Sequence, residues 1–245
     1  MALQRIELLG VPVDLCRPED MEKEILELLA TPGTKQIIFL SVWDLLHARK
    51  NNDFTECLNQ ADLILPISKS ILNGASFLHI PVPVRYNPFS AIITILSILE
   101  NHYKSLYLLG GYKKQLQAAE SNVHATFPRL QIVGRYIGNY PDSVEKNVVE
   151  AIFKASPSLA LLSSGIKEKD VWAYRRRNQF SSSIFLYYKD AVGIFSKRIK
   201  RVNDAIFDKG LEVIPEVLHN PLKIFLIFPF LWYNLLLVWY RLKRK

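Results

Sequence analysis

Short apolar runs alternate with helical patterns along most of the chain, and this alternation constrains the fold more than any other feature. Seven runs have the branched and aromatic composition of strands that are buried on both faces: IELL, QIIFL, LIL, LYLL, LQIVG, LALLS and IFLYY. Helical patterns lie between them, over residues 17–30, 43–50, 88–102, 113–127, 142–154 and 168–178. The alternation predicts an α/β fold with a mostly parallel sheet and helices on both faces.

The chain changes character after Tyr188. Residues 189–245 contain 11 Lys and Arg against 5 Asp and Glu, so they contribute +6 of the formal net charge of +8. We predict a core over residues 1–190 and a basic, helical appendage over residues 191–245. This asymmetry indicates an anionic partner or, alternatively, a solvated charged face. Nucleic acid is not a predicted partner, because no helix-turn-helix, RRM or KH signature accompanies the charge.

The end of the appendage predicts contact with a membrane. Residues 224–240 carry no charge, but Pro229 and Asn234 interrupt them. A straight helix of this length spans about 25 Å, short of the roughly 30 Å hydrocarbon core. Aromatic residues and flanking basic residues favour a peripheral or monotopic position on the cytoplasmic face of the cell membrane. A helix in an oligomer interface is the alternative, and no signal peptide is predicted.

Two strand-to-helix turns are candidates for binding phosphate. Gly110 and Gly111 follow LYLL, where glycines let the backbone approach a phosphate, although a tight turn that binds nothing explains them equally well. The turn after LALL repeats this design with hydroxyls and a charged helix start, and an ordinary helix cap is again the alternative. The second set of candidates is Ser163, Ser164, Gly165 and Lys169.

Metal and cofactor motifs are not apparent in the sequence. The five histidines form no HExxH, the two cysteines have no metal-ligand spacing, and there is no DxD. We therefore predict no metal and no cofactor.

Five segments in order carry a resemblance to a known family: ELLGVPVD, LHARKNNDFTECLNQADLILP, LYLLGG, FPRLQIVGRYIGNY and GLEVIPEVLHNP. Between about Ile6 and Pro221 the chain resembles the WecG/TagA/CpsF glycosyltransferases. The resemblance implies a Rossmann-like core and transfer of an N-acetylhexosamine from a UDP-sugar substrate to a polyprenyl-diphosphate-linked sugar at the cytoplasmic membrane face, in cell-surface polysaccharide synthesis. The family's appendage has arginines thought to meet the diphosphates, and Arg198 and Arg201 are the nearest matches here.

The resemblance weakens at the motifs that hold the family's proposed catalytic and binding residues. The family's proposed catalytic base is an Asp followed by Gly, and this chain has Ile67 and Ser68 there. The family's Thr and Asn at the end of the preceding strand match Phe39 and Ser41, and a later glycine pair matches Leu186 and Tyr187. The family's GxGxPxQE matches residues 163–170 but loses its Pro and Gln.

Two hypotheses follow from these departures. In the first, the chain is an active transferase with a substitute catalytic residue, for which the candidates are Asp170, Asp44 and Lys69. In the second, it is a catalytically inactive homologue that acts as a scaffold or regulator of a glycan-synthesis enzyme. Further candidate partners are membrane lipids and a second copy of the chain.

Overall fold

A computed structural model describes residues 3–201, Phe207 and residues 227–243. Its strands are β1 (Arg5–Leu8), β2 (Val11–Asp14), β3 (Gly33–Leu40), β4 (Leu63–Pro66), β5 (Ser105–Leu109), β6 (Gln131–Tyr136), β7 (Leu159–Leu162) and β8 (Ser182–Tyr187). Six of them form one sheet in the order β4-β3-β8-β7-β5-β6, and every neighbouring pair is parallel. The predicted α/β fold with a mostly parallel sheet is confirmed.

The first predicted strand, IELL, does not join this sheet. It forms β1, which pairs with β2 in a separate antiparallel hairpin. Leu9 and Gly10 both have positive φ, as a tight two-residue hairpin turn requires. The Asp14 carboxylate accepts a hydrogen bond from the Arg5 side chain within the hairpin at 2.6 Å, and it ties the hairpin to the main sheet by accepting another from the Ile64 amide of β4 at 2.7 Å.

Helices cover both faces of the sheet: α1 (Met21–Ala30), α2 (Val42–Ala48), α3 (Asp53–Asn59), α4 (Lys69–Phe77), α5 (Pro88–Asn101), α6 (Lys113–Thr126), α7 (Glu145–Ala155), α8 (Asp170–Arg176), α9 (Ala191–Phe195) and α10 (Ile227–Lys243). Short 3-10 turns lie at Pro18–Asp20, Asp142–Val144 and Arg177–Gln179. Apolar residues of α1, α5, α6 and α9 form the core on one face. The other face has two cores, one built by α2, α3, α4 and α10 and the other by α7 and α8.

Helix α10 is part of the core as well as part of the surface. Tyr233, Leu236 and Leu237 are buried against α2, α4 and the β1–β2 hairpin. The opposite side, which we call the outer face, is exposed and apolar; it consists of Phe228, Phe230, Leu231, Trp232, Leu235, Val238, Trp239 and Leu242. Within the described part of the chain, no helix is long and apolar enough to cross a membrane. Residues 224–226 of the predicted tail lie outside the described residues, as do Arg244 and Lys245.

Candidate active site

We expect a ligand crevice at the carboxyl ends of β3 and β8. The two strands are neighbours, yet α2 after β3 packs on one face of the sheet while α9 after β8 packs on the other. Ligands of open α/β sheets bind where successive helices diverge in this way. The residues that follow these two strands are therefore candidates for catalysis and ligand binding.

Asp44 stands in the first turn of α2, just beyond the end of β3. Its carboxylate accepts hydrogen bonds from the amide and the hydroxyl of Ser41, at 3.1 and 2.5 Å, while the Ser41 hydroxyl accepts from the Asp44 amide. This reciprocal capping box fixes the side chain at the mouth of the crevice. Asp44 is half-buried, so its carboxylate is both positioned and reachable by a ligand.

Asp170 opens α8 and faces the same region from the β7 side. Its backbone carbonyl accepts a hydrogen bond from the side-chain amide of Gln36 on β3 at 2.7 Å, which anchors the start of α8 to the sheet. The carboxylate is buried, and its Oδ1 has no hydrogen-bond partner among the described residues. Burial, together with the nearby charge of Asp44, raises the pKa of Asp170 to about 8. Two of the three predicted catalytic candidates therefore interact with each other.

Tyr187 completes this cluster, and sequence reasoning assigned it no role. It is the last residue of β8 and is half-buried. Burial, followed by the charges of Asp170, Asp190 and Asp44, raises its pKa to about 12. The Tyr187 phenol is therefore near enough to all three carboxylates to interact with their charges. The sequence signals were its position at the end of a buried strand and its match to the family's later glycine pair.

The raised pKa of Asp170 predicts that stability depends on pH in an unusual direction. The folded state keeps a proton up to about pH 8, whereas the unfolded carboxyl releases it near 3.8, so stability falls as pH rises through this window and then levels off. Asp170→Asn removes this titration. We expect the variant to gain about 2 kcal/mol or more relative to the parent chain between pH 4 and pH 9, measured by urea unfolding.

A matched control for this comparison is Asp142→Asn. The Asp142 side chain is 87% exposed and pairs with Lys167 at the surface, so its loss should change stability little at any pH. If the difference in unfolding free energy between Asp170→Asn and the parent chain does not vary with pH, the pKa of Asp170 is not raised as described above.

The segment after β4, where the sequence indicated no helical pattern, is the start of a helix. Ser68 is the residue before α4, and its hydroxyl accepts a hydrogen bond from the Val42 amide at 3.1 Å, so it joins the starts of α4 and α2. Lys69 is exposed in the first turn of α4, on the same edge of the sheet as Asp44. Ile67 packs partly against the core and offers no group that accepts a proton.

Arg85 holds the Ile67 position in place. Its guanidinium donates to the Ile67 carbonyl at 2.8 Å and to the Phe207 carbonyl at 2.6 Å, and it stacks on the Phe207 ring at 3.7 Å. Phe207 is buried. The appendage is therefore anchored beside the position where the family's base would stand.

The two glycine turns interlock with each other. The Gly111 amide donates to the Ser164 carbonyl at 2.7 Å, and the Gly110 amide donates to the Tyr136 carbonyl at 2.9 Å. Ser163 is fully buried, and its hydroxyl donates to the Lys189 carbonyl and accepts from the Val192 amide. The Gly110 and Gly111 amides and the Ser163 hydroxyl are therefore all hydrogen-bonded within the protein. The predicted binding role of these residues stays a prediction.

Three predicted residues keep a surface that a ligand could contact. Ser164 and Gly165 are half-buried at the rim, and the Ser164 hydroxyl has no partner among the described residues. Lys169 is exposed and has a positive φ of 51°, a strained conformation for a lysine that places it just before α8.

The close contact between the two turns predicts a stability effect. At Gly110, φ is +129° and an added Cβ would lie 2.8 Å from the Ser163 carbonyl carbon, so Ala must displace backbone. Gly33 has a φ of +97° with nothing within 4 Å of an added Cβ, so Gly33→Ala carries the conformational cost alone. We expect about 1–2 kcal/mol of destabilisation for Gly33→Ala and about 1–3 kcal/mol more for Gly110→Ala in urea unfolding. Equal losses would show that the turns are not packed as described.

Arg198 and Arg201 lie in the exposed stretch after α9. Both are exposed, and Arg201 donates to the Ser90 hydroxyl at 3.0 Å, near the start of α5. Their predicted contact with a lipid diphosphate stays a prediction. The described residues bring no three His, Cys, Asp or Glu together in a way that could hold a metal ion.

A second cleft of about 310 Å³ lies beside Gly165, a predicted binding residue, on the α7 and α8 side. The Trp172 indole donates to the Tyr140 hydroxyl and to Glu145, and Arg176 pairs with Glu145 and Glu168. Arg175 likewise pairs with Asp53 and Glu168. The basic cluster at residues 175–177 is therefore largely neutralised by neighbouring carboxylates.

Comparison with known families decides the assignment. The chain matches the model of the Glycosyl transferase WecG/TagA/CpsF family over residues 6–245, nearly its whole length and through α10. The chain belongs to this family. No curated protein matches it. Family membership agrees with the Rossmann-like parallel sheet, and it places the divergent residues around Ile67 within a glycosyltransferase fold.

Proposed function

We propose that this chain is a glycosyltransferase of cell-surface polysaccharide synthesis that moves an N-acetylhexosamine from a UDP-sugar to a polyprenyl-diphosphate-linked sugar. The observation that carries the proposal is the position of Asp44, a reachable carboxylate held at the β3–β8 crevice of a glycosyltransferase fold. Such a transfer needs a base near the acceptor hydroxyl, and Ile67 cannot serve. Asp44 is the substitute base.

The other site residues take supporting roles in this proposal. The donor lies against the rim formed by Ser164 and Gly165, where Lys169 faces its diphosphate. Asp170, whose carboxyl oxygen Oδ1 is buried and whose raised pKa keeps the carboxyl protonated at neutral pH, limits the negative charge beside Asp44. Arg198 and Arg201 meet the diphosphate of the acceptor lipid, since they are exposed basic residues near the start of the appendage.

The same proposal places the protein on the cytoplasmic face of the membrane, with the α10 outer face against lipid. This face carries eight of the large apolar side chains that are exposed in the described chain. Lys243 and Arg241 lie at its end, with Lys243 Nζ 4.0 Å from the centre of the Trp239 ring. Aromatic and aliphatic groups bordered by cations fit the boundary of an anionic bilayer better than the surface of a second protein.

A transfer assay tests the enzymatic proposal. The full-length chain, in detergent or vesicles, is incubated with UDP-N-acetylhexosamines and a lipid-linked N-acetylglucosamine acceptor, and the lipid product is measured by mass spectrometry. We expect a product with at least one donor. Failure with every donor and acceptor would reject the enzymatic role.

Failure would favour the second candidate, an inactive scaffold or regulator. The observation on its side is that Ile67 replaces the family's base and is held in place by Arg85. In that case the chain should co-purify with another glycan-synthesis enzyme and change that enzyme's rate.

A further inference from the structure

One contact joins the α10 helix to the edge of the candidate site. The Tyr233 hydroxyl donates a hydrogen bond to the Ser70 carbonyl at 2.8 Å, and only 1% of Tyr233 is exposed. Ser70 lies in the first turn of α4, directly after Ser68 and Lys69. The buried end of a phenol from the last helix therefore touches the turn that borders the crevice.

The Tyr233 hydroxyl occupies a space on α4 beside Gly74, which we call its seat. An added Cβ at Gly74 would lie 2.1 Å from the Tyr233 hydroxyl oxygen, so only glycine leaves room for the phenol at this position. Leu237 lies beside the same seat, at 3.2 Å from that Cβ position. A polar hydroxyl that enters an otherwise apolar contact needs its partner, because an unpaired buried hydroxyl is costly.

The turn that Tyr233 touches is connected to the proposed base. The Ile71 amide donates to the Ser68 carbonyl at 3.0 Å, and the Ser68 hydroxyl accepts from the Val42 amide. Val42 follows Ser41, whose side chain and amide hold the Asp44 carboxylate. A continuous set of hydrogen bonds thus runs from α10 through the first turn of α4 to the start of α2.

We propose that Tyr233 is a positioning residue, which fixes the first turn of α4 and, through Ser68, the start of α2 at the crevice. The order of the site then depends on how α10 is docked, and α10 carries the outer face on its other side. The catalytic part of this role rests on the proposed function. The structural part does not, and the experiment measures the two separately.

Hydrogen–deuterium exchange tests the structural part. Tyr233→Phe removes only the hydroxyl, and Leu236→Ala removes packing from the same buried side of α10 while it keeps the hydrogen bond. We expect amides in residues 68–75 to exchange roughly three- to tenfold faster in Tyr233→Phe than in the parent chain, the effect of one lost buried hydrogen bond. Leu236→Ala should lower the melting temperature more, yet leave exchange in residues 68–75 closer to that of the parent chain.

The outcomes separate the two parts of the proposal. Parent-like exchange of residues 68–75 in Tyr233→Phe would overturn it, and so would faster exchange in Leu236→Ala, because either result makes the contact ordinary packing. In the transfer assay, Tyr233→Phe should lower kcat and leave the donor KM unchanged. A changed exchange rate without a changed kcat would overturn the catalytic role alone. The absence of transfer in the parent chain would instead count against the proposed function.

Discussion

Leu235→Glu combined with Trp239→Glu should reduce binding to vesicles of phosphatidylglycerol and phosphatidylethanolamine by about 10²-fold or more. Both side chains are exposed on the α10 outer face, by 62% and 49%. Burying each in a bilayer is worth roughly 1.5–3 kcal/mol, which two substitutions remove, and the new carboxylates are repelled by anionic lipid. Sedimentation with vesicles measures the loss. The melting temperature should stay near that of the parent chain, because neither side chain is buried in the fold.

Controls separate this effect from a general loss of apolar surface. Val133 and Phe153 are also exposed, on β6 and α7, so Val133→Glu with Phe153→Glu should leave vesicle binding unchanged. Lys243→Gln should weaken binding only partly, and 1 M salt should release little protein, since the attraction is mainly apolar. Complete release by salt would contradict the inserted face. A concentration-dependent dimer that the Leu235 and Trp239 substitutions abolish would show that a second copy covers the face instead.

Truncation before α10 is a weaker test of the same idea. Tyr233, Leu236 and Leu237 fill part of the core against α2 and α4. A chain without them uncovers that core, so a change in its solubility or binding would have two causes. Substitutions on the outer face alter only one.

The main sheet could be predicted from sequence because its strands are continuous apolar runs. Six of the seven runs became strands of the sheet. Helix α4 was missed, since Ser68, Lys69 and Ser70 look like a polar loop. The apolar spacing of Ile71, Ala75 and Leu78 was the available signal, and Ser68 serves the start of α2 rather than a turn.

The candidate site was only partly predictable. Asp44 and Asp170 were named separately, but their mutual effect arises from the order of β3, β8 and β7, which sequence does not give. At the glycine turns, the sequence predicted the close approach of backbone but not its partner. A glycine pair predicts close approach of backbone, but sequence cannot tell whether a phosphate or, as at Gly110, another loop approaches.

The α10 helix was predicted as a membrane segment without its buried side. Tyr233, Leu236, Leu237 and Tyr240 have the spacing of one helix face, and three of them are buried while Tyr240 is half-buried. The spacing carried no information in the sequence, because almost every residue of the segment is apolar and every face fits the pattern. Only the packing of α4, with Gly74 as the seat of Tyr233, selects the inner side.

Asp44→Asn should lower kcat for sugar transfer by about 10²- to 10⁴-fold, the usual contribution of a general base. The amide oxygen of Asn can still accept from Ser41, so the α2 cap is kept and the melting temperature should change little. Asn cannot take a proton from the acceptor hydroxyl. The donor KM should therefore remain near that of the parent chain while kcat falls, which initial-rate measurements over a range of UDP-sugar concentrations will separate.

Ile67→Asp provides a rescue for this variant, because it places a carboxylate where the family carries its proposed base. Ser68 is left unchanged in this design, since its hydroxyl joins α4 to α2. If Asp44 supplies the base, adding Ile67→Asp to Asp44→Asn should restore part of the lost transfer. The control variant is Asp190→Asn, which removes another carboxylate that acts on Tyr187 and should lower kcat far less than Asp44→Asn. If Asp44→Asn keeps kcat within a few fold of the parent chain, Asp44 is not the base. If Ile67→Asp alone then raises kcat above that of the parent chain, position 67 is still the effective place for a general base, and the parent chain transfers sugar without one there.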